Sequence, residues 1–131
     1  MPLKLIIFDL DGTLVDTVQD ITDALNHALR PCGIEALTVR ETVGMVGEGI
    51  TKLVEKILPA GKVHIKDDVI QRFLEYYSEH LTDKSKEYPH VRETLEALSG
   101  FKKAVISNKR EALSKGLLEE LNLLQYFDLI I

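Results

Sequence analysis

Two aspartates one residue apart, Asp9 and Asp11, follow the apolar run Leu5-Ile6-Ile7-Phe8 and precede Gly12 and Thr13. A carboxylate at a strand tip can attack phosphorus to give an acyl phosphate that water then removes, which divides one hard reaction into two easier ones. Asp9 suits that nucleophile. Asp11 is near enough to protonate a leaving oxygen and later to take a proton from the attacking water. Gly12 lacks a Cβ, so the backbone can turn sharply and approach a phosphate, and Thr13 can donate a hydroxyl. Paired carboxylates repel each other and an incoming phosphate, which calls for a hard cation with oxygen ligands; Mg²⁺ is the natural choice. An Asp-x-Asp-Gly-Thr string arises by chance in roughly one chain in a thousand of this length. The competing reading is a plain turn, because Asp and Gly are common there.

A second polar pair weighs against the plain turn. Ser107-Asn108 directly follows Ala104-Val105-Ile106, a second apolar run rich in β-branched residues. Continuous rather than alternating apolar runs fit strands buried on both faces of a parallel sheet. In open α/β sheets ligands sit beyond the carboxyl ends of the strands, where Asp9, Asp11, Ser107 and Asn108 all fall.

Between the two runs the periodicity is helical. Ile21, Leu25, Ala28 and Leu29 recur at helical spacing after Thr17 and Asp20, which resemble a capping pair, and Pro31 and Gly33 end the pattern. Further helices fit Ile50, Leu53, Val54 and Ile57, and then Val69, Ile70, Phe73, Leu74 and Tyr77. Residues 15–81 therefore read as an all-helical block without a strand. Beyond Tyr88-Pro89 a short helix carries Val91, Leu95 and Leu98, another carries Leu113, Leu117 and Leu121, and Asp128-Leu129-Ile130-Ile131 opens a third strand. This alternation predicts an α/β fold, a doubly wound parallel sheet with the helical block inserted after the first strand.

The chain has 131 residues and 45% hydrophobic content, enough for one ordinary core. Its net charge of -5 repels nucleic acid and anionic lipid, so an anionic substrate must be attracted locally. A single cysteine, Cys32, allows no internal disulfide and fits a reducing compartment. The amino-terminal run from Met1 meets Asp9 too soon for a signal segment, and no stretch reaches the ~20 apolar residues of a membrane span. A soluble cytoplasmic protein is expected.

Phe8-Asp9-Leu10-Asp11-Gly12-Thr13-Leu14-Val15-Asp16 resembles the first signature of haloacid dehalogenase phosphatases, and Val105-Ile106-Ser107-Asn108-Lys109 resembles the second. The helical block is similar to the cap of the phosphoglycolate phosphatase branch, including Val43 to Gly49 and Leu53-Val54-Glu55, and Tyr88-Pro89-His90-Val91 resembles the return into the core. The resemblance implies an α/β core at 1–14 and 82–131 with a helical cap at 15–81. It implies that Asp9 is nucleophile and magnesium ligand, and that Asp11 is acid/base and binds the metal through its backbone carbonyl. Gly12, Thr13, Ser107 and Asn108 would hold the phosphoryl group of a small phosphorylated metabolite, 2-phosphoglycolate first among them. Hydrolysis of pyrophosphate, or hydrolysis or isomerisation of sugar phosphates, are the alternatives within the family, and an inactive fragment or a non-catalytic phosphate- and metal-binding module is the alternative outside it.

The family pattern also calls for a third-motif lysine and a fourth acidic motif, both of which normally lie beyond the position of Ile131. The expectation is a fragment of a longer protein, or a sheet completed by a second polypeptide or by exchange between copies. Otherwise Leu5 to Phe8 would form an exposed apolar edge. Lys109 and Arg110 read as the solvated first turn of a helix, and Lys52 as part of a solvated face. Asp16 reads as a helix cap or hinge, Tyr76 and Tyr77 as packing residues, and His27, His64, His80 and His90 as surface or packing residues. Gly47-Glu48-Gly49 reads either as a loop facing the substrate or as an ordinary start to a helix.

Overall fold

The first strand, β1 (Leu5–Phe8), runs into a tight loop and a two-residue strand, β2 (Val15–Asp16). This description is of a computed structural model covering residues 4–131; Met1, Pro2 and Leu3, where the signal-segment reading begins, lie outside the described residues. Helix α1 (Val18–Leu29) buries Ile21, Ala24, Leu25, Ala28 and Leu29, an apolar stripe at the spacing expected of a one-sided helix. It ends in a 3-10 turn holding Pro31, closed by Gly33 at φ 69°. Helix α2 (Val39–Val43) starts from a capping box in which Thr38 accepts from the Glu41 N–H and the Glu41 side chain answers. Helices α3 (Ile50–Ile57) and α4 (Lys66–Ser78) follow, and Val69, Ile70, Phe73 and Tyr77 of α4 are buried. α1 packs on α2 and α4, and α3 packs on α4, so the four make one helical layer.

The chain returns through β3 (Lys86–Glu87), then α5 (Val91–Ala97), β4 (Lys102–Val105), α6 (Glu111–Glu120) and β5 (Leu129–Ile130). β1, β4 and β5 form a parallel sheet in the order β1-β4-β5, with Phe8 beside Val105 and Val105 beside Ile130. Val105 and Ile130 share one apolar cluster with Leu95 of α5 and with Leu117 and Leu118 of α6. Lys103, on that face, is buried because its Nζ donates to the Leu98 and Phe101 carbonyls at 2.8 and 3.1 Å, near the carboxyl end of α5. The opposite face is exposed on its two outer strands, while Ala104 of β4 between them is buried at 2% exposure. Register sets Ile7, Ala104 and Leu129 side by side there, and Leu5, Ile7 and Leu129 are 53%, 56% and 53% exposed.

Two expectations need correction. The segment from 15 to 81 does contain a strand, because Val15–Asp16 pairs antiparallel with Lys86–Glu87. Two residues are too few to carry a period, and the partner is far off in sequence. Thr17 and Asp20 are not a capping pair either. Thr17 sits at the helix N-terminus without a side-chain cap bond and donates to Asp11 instead. The Asp20 carboxylate accepts from the Lys84 and Ser85 N–H groups and the Ser85 hydroxyl, which pins the returning chain to α1.

Candidate active site at the ends of β1 and β4

The loop after β1 wraps around one carbonyl. Leu10 is fully buried, and its oxygen accepts from the N–H groups of Thr13, Leu14 and Val15 at 3.2, 3.0 and 3.2 Å. Gly12 adopts φ +79°, which an L side chain rarely tolerates, and its N–H donates to Val15 at 2.9 Å. No described residue donates to the Asp11 carbonyl. Asp9 accepts from the Leu10 N–H through Oδ1 at 2.8 Å, and no described residue donates to its other oxygen. The turn therefore presents one half-free carboxylate and one free carbonyl at the strand tip.

Asp11 is more tightly held. The Thr17 hydroxyl donates to its Oδ1 at 2.6 Å, and the Lys109 ammonium donates to the same oxygen at 2.9 Å. Both partners are shielded: the Lys109 side chain is 7% exposed and the Asp11 side chain 12%. Lys109 also donates to the Tyr77 hydroxyl at 2.7 Å and lies 4.5 Å from the centre of that ring. Burial alone would drive the ammonium's pKa down, but the attraction of Tyr77 and Asp11 outweighs it and holds the group above its ordinary value. Tyr77 is pushed up, first by burial and then by the negative charge of Asp11, with Lys109 opposing.

Lys109 corrects the sequence reading of it as a solvated helical turn. Helix α6 begins at Glu111, so Lys109 belongs to the strand-to-helix loop and points back across the site. The legible signal was its position immediately after Ser107-Asn108. Arg110 is exposed, as expected. Ser107 accepts the Lys109 N–H at 3.1 Å, and the Asn108 amide donates to the Gly47 carbonyl at 2.6 Å. Gly49, at φ +91°, packs so closely on Asn108 that a Cβ would lie 3.0 Å from its carbonyl oxygen.

Asp9, Asp11, Ser107, Asn108 and Lys109 line one cavity of ≈ 60 Å³. Its other wall comes from the helical layer, where Val46, Ile50, Leu53, Phe73 and Tyr77 supply apolar surface and Gly47 and Gly49 supply backbone. Both readings of Gly47-Glu48-Gly49 hold in part: Gly47 and Gly49 line the cavity, and Gly49 is the residue from which α3 starts. Gly12 and Thr13 are exposed and do not line the cavity. Lys52 is exposed, His27 and His80 stack on either side of Tyr76, and Asp16 lies in β2 rather than capping α1. Among the described residues no group of three or more His, Cys, Asp or Glu could hold a metal ion. The half-free Asp9 carboxylate and the Asp11 carbonyl are nevertheless hard oxygen donors on one turn, which fits a Mg²⁺ that keeps several waters.

The site thus sits where a helical layer meets the carboxyl ends of β1 and β4 in a parallel α/β sheet, with an Asp-x-Asp turn at the first of them. The chain belongs to the haloacid dehalogenase-like hydrolase family, whose family model matches residues 6–131. It is 42% identical over 131 residues to a phosphoglycolate phosphatase of Aquifex aeolicus, covering 98% of this chain and 60% of that protein. It is 37% identical to a phosphoglycolate phosphatase of Agrobacterium fabrum, covering 94% of this chain and 55% of that one. The crystal structure of a predicted phosphoglycolate phosphatase from Haemophilus somnus superimposes with a TM-score of 0.89 at 29% identity, covering 98% of this chain and 62% of that one. The chain thus spans less than two thirds of the length of these relatives.

Proposed function

We propose that this chain carries the nucleophile of a Mg²⁺-dependent phosphomonoester hydrolase that works through an aspartyl phosphate on a small phosphorylated metabolite, 2-phosphoglycolate first among the candidates. The observation that carries the reading is the convergence of Asp9 and Asp11 from one strand end with Ser107, Asn108 and Lys109 from the next on a single cavity. An Asp9 carboxylate oxygen would attack phosphorus while the bond from phosphorus to the ester oxygen breaks, and Asp11 would give that oxygen its proton. Water, losing a proton to Asp11, would then cleave the acyl phosphate and restore Asp9. Ser107 and Asn108 would hold the transferring group. Held by the Asp9 carboxylate and the Asp11 carbonyl, Mg²⁺ would offset the repulsion between nucleophile and phosphate.

Residues 15–81 would act as a cap whose apolar wall excludes water during the reaction. The cavity is small, ≈ 60 Å³, which favours a small substrate. The names of the relatives favour 2-phosphoglycolate. The exposed face around Ile7 and the unpaired edge of β1 support a further strand beside β1, from the same polypeptide or another. No helix among the described residues is long and apolar enough to cross a membrane, which is compatible with a cytoplasmic enzyme.

The test is phosphate release by the full-length gene product. Release should require Mg²⁺, disappear with chelator and disappear in Asp9→Asn. A preference for pyrophosphate over 2-phosphoglycolate would overturn the substrate, and Mg²⁺-independent or absent release would overturn the reaction class in favour of a binding module.

A further inference from the structure

We infer that Lys109 is a positioning residue for Asp11, and that Tyr77 makes this positioning depend on the docking of α4. The inference rests on the reading of Asp11 as acid/base and adds two residues to it. Thr17 and Lys109 both donate to Oδ1 of Asp11, at 2.6 and 2.9 Å, and no described residue donates to Oδ2. Two donors converging on one oxygen fix the plane of a carboxylate and single out the other oxygen. Oδ2 is therefore the atom left to exchange protons in the cavity.

Thr17 alone cannot fix this arrangement as firmly, because a hydroxyl on one side leaves the carboxylate free to swing about that bond. Lys109 supplies the second anchor, and its charge makes the bond stronger than a neutral one. A lysine side chain is long and loses much rotamer freedom when it is held. The Tyr77 hydroxyl, at 2.7 Å, and the Tyr77 ring hold it here. Tyr77 is on α4, in the helical layer, whereas Lys109 and Asp11 are on the loops after β4 and β1. A chain of contacts thus runs from the helical layer to Oδ1 of the carboxylate whose other oxygen is left for proton transfer. The same seam is closed by Asn108 on Gly47 and by Gly49 against the Asn108 backbone. Displacing α4 would free Lys109 and with it Asp11.

The experiment compares an alkyl phosphate, whose leaving oxygen must be protonated, with p-nitrophenyl phosphate, whose phenolate departs without a proton. In the full-length gene product with Mg²⁺, Lys109→Met should lower steady-state turnover of the alkyl ester by about 100-fold, the scale of a misplaced general acid. The first turnover of the aryl ester should fall by less than about 3-fold, giving a burst of phenolate before a slow steady state, because Asp11 is also needed to activate water. Tyr77→Phe, which keeps the ring in the core, should show the same pattern at about 10-fold, the scale of one lost hydrogen bond. Equal losses on both esters without a burst, or no loss in either variant, would overturn the inference while leaving the proposed reaction standing. Failure of the parent protein to hydrolyse either ester would overturn the reaction itself and this inference with it.

Discussion

Asp20→Ala should be among the most damaging substitutions outside the cavity. Asp20 lies in the first turn of α1 at 2% exposure, and its carboxylate accepts from the Lys84 N–H at 3.1 and 3.0 Å, the Ser85 N–H at 2.8 Å and the Ser85 hydroxyl at 2.6 Å. Truncation strands two backbone donors and one hydroxyl, each costing about 1–3 kcal/mol when left unpaired. The vacated space can admit water, so the net loss should be about 3 kcal/mol, near the lower bound of that sum. Against a total of roughly 7–20 kcal/mol for a domain of this size, that is a large share, and it corresponds to a fall in Tm on the order of 10 °C. Urea unfolding followed by circular dichroism measures it. Asp23→Ala is the control on the same helix: its carboxylate takes the exposed Lys84 ammonium at 2.8 Å, and its loss should change stability little. If the two variants unfold at the same urea concentration, the return segment is not held by Asp20 and the argument fails.

Gly49→Ala should cost about 1–2 kcal/mol in the same urea assay, since φ +91° strains any L residue and its Cβ would press on the Asn108 carbonyl; an unchanged midpoint would mean this seam is loose. Ile7→Lys places a charge on the exposed face of β1, and in sedimentation velocity it should reduce self-association of the 131-residue chain; an identical size distribution would remove the face around Ile7 as the contact. Asp128 is held below the usual carboxylate range, chiefly by the Lys103 N–H at 2.9 Å. A depressed folded pKa contributes stability that is complete above the unfolded value of about 4 and is lost as pH falls through the folded one. Asp128→Asn should therefore flatten the acid limb of a pH–stability curve, and an unaltered limb would refute the assignment.

Long, strongly periodic features were legible in the sequence. The stripes of α1 and α4 announce themselves because burial on one side leaves a repeating mark. The apolar run of β1 marks its strand although Leu5 and Ile7 are exposed, whereas β4 starts at Lys102 and keeps only Ala104 and Val105 of its run. The strand-helix alternation then puts Asp9 and Ser107 at neighbouring strand ends before any coordinates are seen, and both do line one cavity. Short elements left no such mark. β2 and β3 are two residues each, and α2 is five residues long, although Thr38 and Glu41 spell a capping box that could have revealed it. Side-chain partners across long separations were the least accessible. Asp20 looked like a cap because capping is a local pattern, whereas its true partners are 64 and 65 residues away. Tyr77 looked like a packing residue, as its buried ring is, and its hydroxyl, invisible to a hydrophobic period, also accepts from Lys109.

The misreading of Lys109 has a physical cause. A net charge of -5 repels phosphate at long range, and Asp9 and Asp11 add to that repulsion inside the cavity. Exposed lysines can do little about it, because water and salt screen them beyond about 8–10 Å. Lys109, buried and in the cavity wall, instead has its ammonium held by Asp11 and Tyr77. Burying an ammonium is costly unless a carboxylate stays beside it, which is why Asp11 and Lys109 must be understood together. Placing the cation on the loop after β4 rather than on a helix face brings it to the strand ends without depending on helical register. The departure of Lys109 from any periodic pattern is what makes it useful there, and is also what hid it.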